Sequence, residues 1–301
     1  MKVLVTGGAG FVGTNLIKRL LSDGHEVHSV DNYSTGFKEN QQDGCTYHEF
    51  DISSKHLLGI YVDHGTYPYW RDNNYDVIFH LAALARIQPS FKNPHEVFEV
   101  NALGTQNILE WARKTNTPVI YAGSSSTHGD HYANPYTFTK WQGELICKMY
   151  SEVYNLPTAI CRFYNVYGPH QILDGAYAAV IGIFESQYNA GKTLTVTGDG
   201  EQRRDFTHIE DIVDGLTKCM EAMHGVVDMK FSGEIFELGR GKNYSINEIV
   251  EMFGQDEVEY IAKRPGEMRV TLCESVKARE LLDWNPKIDI RDYLEDFISE
   301  N

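Results

Sequence analysis

Residues Thr6–Gly13 read TGGAGFVG, directly after the apolar run Lys2–Thr6 and directly before a segment with Leu16, Ile17, Leu20 and Leu21 at helical spacing. A short Val/Leu run bounded by glycines is the pattern of a buried strand. A chain that passes from such a strand into a helix through Gly7, Gly10 and Gly13 is directed toward a parallel α/β architecture. Glycine lets the turn tighten and lets backbone approach a pyrophosphate, while the first N–H groups of the helix face the anion. Glycine spacing alone is weak evidence; the strand before and the helix behind supply the context that it needs. The loop is therefore predicted to hold a dinucleotide through Gly7, Gly10, Phe11, Val12 and Gly13.

The following chain keeps that rhythm. Glu26–Val30, Thr46–Phe50, Val77–Leu81, Val119–Ala122 and Thr158–Phe163 read as strands. Thr14–Ser22, Pro94–Lys114 and Tyr136–Tyr154 read as helices between them. Alternation of this kind predicts an α/β fold with a Rossmann-type doubly wound parallel sheet. Beyond residue 165 the pattern loosens, with helices predicted at Ala176–Tyr188 and His208–Ala222. The expected organisation is a dinucleotide-binding domain over 1–165, to which 205–235 returns. A smaller, discontinuous C-terminal substrate lobe is expected mainly from 166–204 and 236–301. Tyr61–Trp70 (YVDHGTYPYW) is aromatic-rich and broken by proline, and reads as a loop packed on the surface or on a partner subunit.

Composition removes several classes of function. The 301 residues, 42% of them hydrophobic, are enough for a large core and a second lobe. A formal net charge of −15 makes the chain a poor general ligand for nucleic acid, so its phosphate chemistry needs a local pocket. Five scattered cysteines without a Cys-x-x-Cys pair read as free thiols of a reducing compartment. No apolar run approaches membrane-span length, and nothing resembling a leader precedes Lys2, so a cytoplasmic protein without a membrane partner is expected. His128 and His131 lack a third ligand in pattern, and no metal is expected there.

Residue types at the strand ends suggest the chemistry. Asp31 ends the second strand and is followed by Asn32, Tyr33, Ser34, Thr35 and Gly36. An acid here can accept hydrogen bonds from the adenosine ribose hydroxyls and would repel the extra phosphate of NADP, so NAD is the expected cofactor. Asp51 and Ile52 end the third strand, where Asp51 could meet the adenine amino group or cap the next helix. Tyr136 and Lys140 lie four apart at the start of a helix and share one face. A nearby ammonium and a positive nicotinamide ring would favour the phenolate, which could take a sugar hydroxyl proton as the adjacent C–H leaves as hydride. Ser124, at the end of the fifth strand, could hydrogen-bond the reacting oxygen; Ser126 could do so or serve only its own turn.

Taken together, these residues resemble the extended short-chain dehydrogenase/reductase family, the NAD-dependent epimerase/dehydratases. The resemblance covers nearly the whole chain. TGGAGFVG, DNYSTG, HLAA (His80–Ala83), the Ser-rich strand end, YTFTK, RFYNVYGP (Arg162–Pro169), GDGEQRRDFTHIEDI (Gly198–Ile212) and KRPGEMR (Lys263–Arg269) occur in the family's order. The resemblance implies that Leu81, Ala82 and Ala83 border the cofactor. It places Arg204 and Arg264 on the phosphates of a nucleotide, which suits planar guanidiniums. It places Asn165 beside the sugar-phosphate, Thr195 and Thr197 at the base edge, and Arg86 within reach of sugar or phosphate. Thr271 stands where some epimerases have a bulky aromatic and could leave room for an N-acetyl group, or be an ordinary strand residue.

Dehydratases of the family typically carry Asp-Glu just after the hydroxyl residue, and the decarboxylases keep a Glu two places after it. Here those places are Ser125 and Ser126. The pattern is similar to that of UDP-sugar 4-epimerases, and the implied substrate is a UDP-hexose; the alternatives are another NAD-dependent nucleotide-sugar reaction (decarboxylation, dehydration or reduction) or a non-catalytic nucleotide-sugar-binding homologue. The resemblance also implies a homodimer packed through Pro94–Lys114 and Tyr136–Tyr154. Two departures stand out: six residues separate Gly129 from Tyr136, fewer than usual, and His128 replaces a usual Tyr. The short connection predicts an open pocket or a cover from elsewhere, such as the Tyr61–Trp70 stretch.

Overall fold

The computed structural model describes residues 1–58, 70, 74–224, 232–255 and 257–301. Of the Tyr61–Trp70 stretch only Trp70 is among them. Its ring is buried edge-on against Trp111, with centroids 5.1 Å apart.

The strands are β1 (Lys2–Thr6), β2 (Glu26–Asp31), β3 (Cys45–Glu49), β4 (Val77–His80), β5 (Val119–Ser124), β6 (Thr158–Phe163) and β7 (Val166–Tyr167). They continue with β8 (Leu194–Thr197), β9 (Arg203–Asp205), β10 (Thr207–His208), β11 (Glu234–Leu238), β12 (Asn243–Ser245) and β13 (Val258–Ile261). The helices are α1 (Phe11–Ser22), α2 (Ile87–Lys92), α3 (Pro94–Phe98), α4 (Thr105–Thr115) and α5 (Pro135–Tyr154). After them come α6 (Val180–Asn189), α7 (Ile209–His224), α8 (Ile246–Met252), α9 (Lys277–Leu282) and α10 (Ile290–Glu300).

Among the described residues, seven strands form one parallel sheet in the order β11-β6-β5-β4-β1-β2-β3. This is the Rossmann-type doubly wound fold. Side chains alternate across each strand, so Val3 and Val5 enter one core while Leu4 enters the other. The first core takes Leu16, Ile17 and Leu20 of α1 and Ile212 and Leu216 of α7. The second takes Ile108, Leu109 and Trp111 of α4 and Cys147 and Tyr150 of α5. Strand order reverses between β1 and β4, which opens a crevice at the carboxyl ends of those two strands.

A third core lies apart, built on Phe184 of α6, Val196 of β8, Ile249 of α8 and Leu294 of α10. Its strands pair in twos: β8 with β13, and β9 with β12. The boundary expected at residue 235 shifts, because β11 runs to Leu238 within the main sheet. Farther on, Ala278, Leu282 and Trp284 pack on the α1/α7 face. Trp284 is fixed there by its indole N–H, which donates to Asp211 O at 2.8 Å.

The helix predicted over Pro94–Lys114 is interrupted. Glu99–Gly104 winds as a wider π-helical segment between α3 and α4. Asn101 within it turns inward, its Oδ1 accepting from Leu84 N at 2.8 Å and its Nδ2 donating to Leu84 O at 3.2 Å. Such single wide turns recur where a side chain must serve a site.

The junction between the lobes rests on Asp205, which is fully buried. Its Oδ1 accepts from Arg240 N at 3.0 Å, and its Oδ2 accepts from Gly241 N and Cys273 N, both at 2.9 Å. Burial raises this carboxyl, and the three N–H groups oppose the rise. Asp205→Ala leaves those donors without an acceptor. The unfolding free energy is expected to fall by about 3 kcal/mol, read as an earlier denaturant midpoint at unchanged slope. A loss below about 1 kcal/mol would show that the junction does not depend on this carboxylate.

Candidate active site

Gly7 adopts φ +75°, and a Cβ there would lie 2.8 Å from Ala82 N. Gly13 likewise has no room for a side chain against the Gly7 carbonyl. The glycine loop thus lies directly against the chain leaving β4. It is held from the other side by Asp31, whose Oδ2 accepts from Ala9 N at 2.9 Å and whose Oδ1 accepts from Tyr33 N at 2.8 Å. Burial raises the Asp31 carboxyl, with those two N–H groups opposing. Among the described residues no side chain caps the start of α1. Its first N–H groups and partial positive charge therefore face the crevice, as a bound pyrophosphate requires. This cradle, which side chains would fill, fits a dinucleotide.

The crevice opens into one cavity of about 1140 Å³ that continues into the second lobe. Gly7, Gly10, Phe11, Val12, Gly13, Asp31, Asn32, Ser34, Thr35 and Gly36 all line it, as do Asp51, Ile52, Leu81, Ala82 and Ala83. Ser124, Ser126, Tyr136, Lys140, Arg86, Asn165, Thr195, Thr197, Arg204, Arg264 and Thr271 line the same cavity. Asp51 also makes a local turn, its Oδ1 accepting from Ser53 N at 2.8 Å.

Tyr136 is presented by the first turn of α5. Asn134 caps that helix, its Oδ1 accepting from Thr137 N at 2.8 Å, and Pro135 follows at the first helical position. Tyr136 OH donates to Ser124 Oγ at 3.2 Å. Ser124 Oγ in turn donates to Ser126 Oγ at 2.9 Å. Ser124, Ser126 and Tyr136 therefore form one hydroxyl chain at the end of β5.

Lys140 Nζ donates to Ala122 O at 2.9 Å and stands 4.9 Å from the Tyr121 ring centre. Burial pushes it down to about 8, with Glu144 opposing. Tyr136 is pushed up by burial, while the Ser124 hydroxyl and the positive charge of Arg86 pull it back. Arg86 and Lys140 both line the same cavity as the phenol.

Arg86 is half-buried and crosses between the lobes, its Nε donating to Tyr177 O at 2.7 Å. Arg204 donates from Nη1 to Arg203 O at 3.0 Å and lies 3.8 Å from Glu267. Arg264 is exposed at the cavity wall. Asn165 and Thr271 touch each other: Asn165 Nδ2 donates to Thr271 Oγ1 at 3.0 Å, and that oxygen also accepts from Asp205 N at 3.1 Å. Thr195 Oγ1 accepts from Gln187 Nε2 at 2.9 Å. His128 Nε2 lies 2.6 Å from Glu237 Oε1, and Arg162 joins Glu237 to Glu144 beneath the serines.

Two supporting residues were given no role of their own by the sequence. Asn101 ties the Leu84 backbone to Thr139, the neighbour of Lys140, by donating to Thr139 Oγ1 at 3.2 Å. His80 bridges Thr6 and Thr105 through both ring nitrogens, at 2.8 and 2.9 Å. Burial, aided by the Lys140 charge, holds it down at about 3, so it is neutral. His80 was legible only as a member of HLAA; Asn101 had no periodic or motif cue.

The family model described as the NAD dependent epimerase/dehydratase family matches residues 3–239. The chain is 31% identical over 312 residues to a UDP-glucose 4-epimerase of Mycolicibacterium smegmatis, covering 96% of this chain and 94% of that one. It is 33% identical over 267 residues to a UDP-N-acetyl-alpha-D-glucosaminuronate decarboxylase of Bacillus cytotoxicus, covering 83% and 78%. Its fold superimposes on the UDP-glucuronic acid 4-epimerase of Bacillus cereus, solved with UDP-glucuronic acid and NAD. The TM-score is 0.84 at 27% identity, covering 100% of this chain and 99% of that one.

A phenol raised by burial remains protonated at neutral pH and below its ordinary value of 10. In an ultraviolet difference titration of the cofactor-free protein against Tyr136→Phe, the Tyr136 step is expected above the ordinary tyrosine range. Adding NAD+ is expected to move that step down by about a unit or more, because a positive ring favours the phenolate. A step unmoved by NAD+ would rule out this activation.

Proposed function

We propose, for a chain that belongs to the NAD-dependent epimerase/dehydratase family, that it inverts C4 of a UDP-linked hexose and releases a product of unchanged mass. The chain is an enzyme, and NAD is its cofactor. The glycine loop, Asp31, Asn32, Ser34, Thr35 and Gly36 would hold NAD, with Asp51, Ile52 and Leu81–Ala83 bordering it. Bound there, NAD would supply a reversible hydride acceptor for sugar C4.

The observation that carries the reading is the pairing of Tyr136 OH with Ser124 Oγ at 3.2 Å, with serines rather than carboxylic acids at 125 and 126. Tyr136 takes the proton from O4, Ser124 hydrogen-bonds the same oxygen, and Lys140 keeps a positive charge behind the phenol. The 4-keto sugar turns about its phosphate linkage, and Tyr136 returns the proton to O4. Elimination of water would require further acid and base groups, which Ser125 and Ser126 do not supply. Arg204 and Arg264 are assigned to the pyrophosphate, Thr195 and Thr197 to the base, and Arg86, Ser126, Asn165 and Thr271 to the sugar side. The second lobe then carries the nucleotide while the sheet domain carries the cofactor.

A homodimer is part of this reading. Leu145, Met149 and Val153 are exposed at every fourth position along α5, with Phe98 and Leu103 exposed on α3 and the π-helical segment, which pack against α5. An apolar stripe of this kind suits a second copy of the same face. The free cysteines suit a reducing, cytoplasmic setting.

Incubation with UDP-glucose, UDP-N-acetylglucosamine and UDP-glucuronate, with products resolved by chromatography and mass, tests the reaction. One of the three is expected to give its C4 epimer; a product lighter by water or carbon dioxide would overturn epimerisation. Tyr136→Phe is expected to lower kcat by about 10²–10⁴-fold with the fold intact. Light scattering is expected to give twice the chain mass, and Leu145→Glu with Met149→Glu to give monomers. A monomer mass for the unmutated protein would exclude the dimer.

A further inference from the structure

The short connection between β5 and α5 raises the question of what covers the reacting centre. Among the described residues, cover comes from the second lobe. Residues 264–268 form an arch rooted on β9, where Arg203 N donates to Arg269 O at 2.9 Å and Thr271 N donates to Arg203 O at 3.1 Å. Arg264, Gly266, Glu267 and Met268 of this arch line the cavity.

The tip of the arch is held by the sheet domain. Gln88 Nε2 donates to Pro265 O at 2.9 Å, and Asn134 Nδ2 donates to Gly266 O at 3.3 Å. Gly266 sits at φ +74°, where a Cβ would come 3.1 Å from the Phe91 ring and 3.4 Å from Ala133 O. Farther along, Met268 packs on Gly129 at the start of the short connection, where a Cβ would meet its Cγ and Sδ at 3.2 Å. Two consecutive carbonyls are thus each held by a side-chain amide from across the site.

Asn134 does two things at once. Its Oδ1 caps the helix that presents Tyr136 while its Nδ2 holds the arch. An N–H on one side and a C=O on the other admit one orientation of the amide. We propose that Gln88 and Asn134 are positioning residues that latch the 264–268 arch over the site, so that nucleotide held by Arg264 and the helix bearing Tyr136 are set in register. The latch takes over the covering task that a longer β5–α5 connection would perform. The inference rests on the assignment of Arg264 to the phosphates.

Asn134→Asp separates the two tasks: the carboxylate still accepts from Thr137 N, but it cannot donate to Gly266 O. Gln88→Glu removes the other donor with the same shape. In the NAD-loaded protein, both variants are expected to keep their melting temperature. Both are expected to raise the UDP dissociation constant at least fivefold by calorimetry, and to speed amide exchange of the arch peptide about tenfold. In turnover, KM is expected to rise more than kcat falls. Asn134→Ala is expected to add a loss of melting temperature from the missing cap. Unchanged exchange in Asn134→Asp would overturn the latch, and faster exchange with unchanged UDP affinity would overturn its positioning role. If UDP failed to bind the unmutated protein, the nucleotide assignment would fall, while the exchange measurement would still decide the latch.

Discussion

The structure depends on a place where two stretches of backbone run together with no side chain between them. The loop leaving β1 at Gly7 and the chain leaving β4 at Ala82 approach so closely that even a methyl group would collide. That approach sits where strand order reverses, so it fixes the floor of the cofactor crevice. Asp31 then pins the loop from the β2 side, and among the described residues no side chain caps α1. An anion-binding cradle follows from these three features together.

Buried carboxylates do related work elsewhere. Asp31, Asp205 and Asp211 each accept backbone N–H groups from segments distant in sequence. A carboxylate removed from water needs such donors, and loop N–H groups at a junction need an acceptor. Arg86, Arg204 and Arg264 line the cavity.

Much of this was legible in the sequence, and particular residues show why. The first six strands, the glycine loop and the Tyr136/Lys140 spacing are local patterns governed by the geometry of one strand or one helical turn. The π-helical segment was not legible, because Asn101 departs from helical winding to satisfy the backbone of Leu84, seventeen residues away. The domain boundary moved for a similar reason. Whether Glu234–Leu238 joins the main sheet depends on an open edge at β6, which its own residues do not reveal. The contacts of residues 265 and 266 were also hidden, since Gln88 meets Pro265 across 177 residues and Asn134 meets Gly266 across 132.

The sequence by itself determined the strand–loop–helix start, the acid that ends β2 at Asp31 and the placement of Tyr136 and Lys140 on one helix, because each is set by backbone geometry over a few residues. Only the tertiary structure decided that β11 joins the main sheet while β8 pairs with β13 apart from it, and that Pro265 and Gly266 meet Gln88 and Asn134. Those outcomes depend on distances between groups remote in the chain, and burial and pairing energies are defined only once such groups have been brought together.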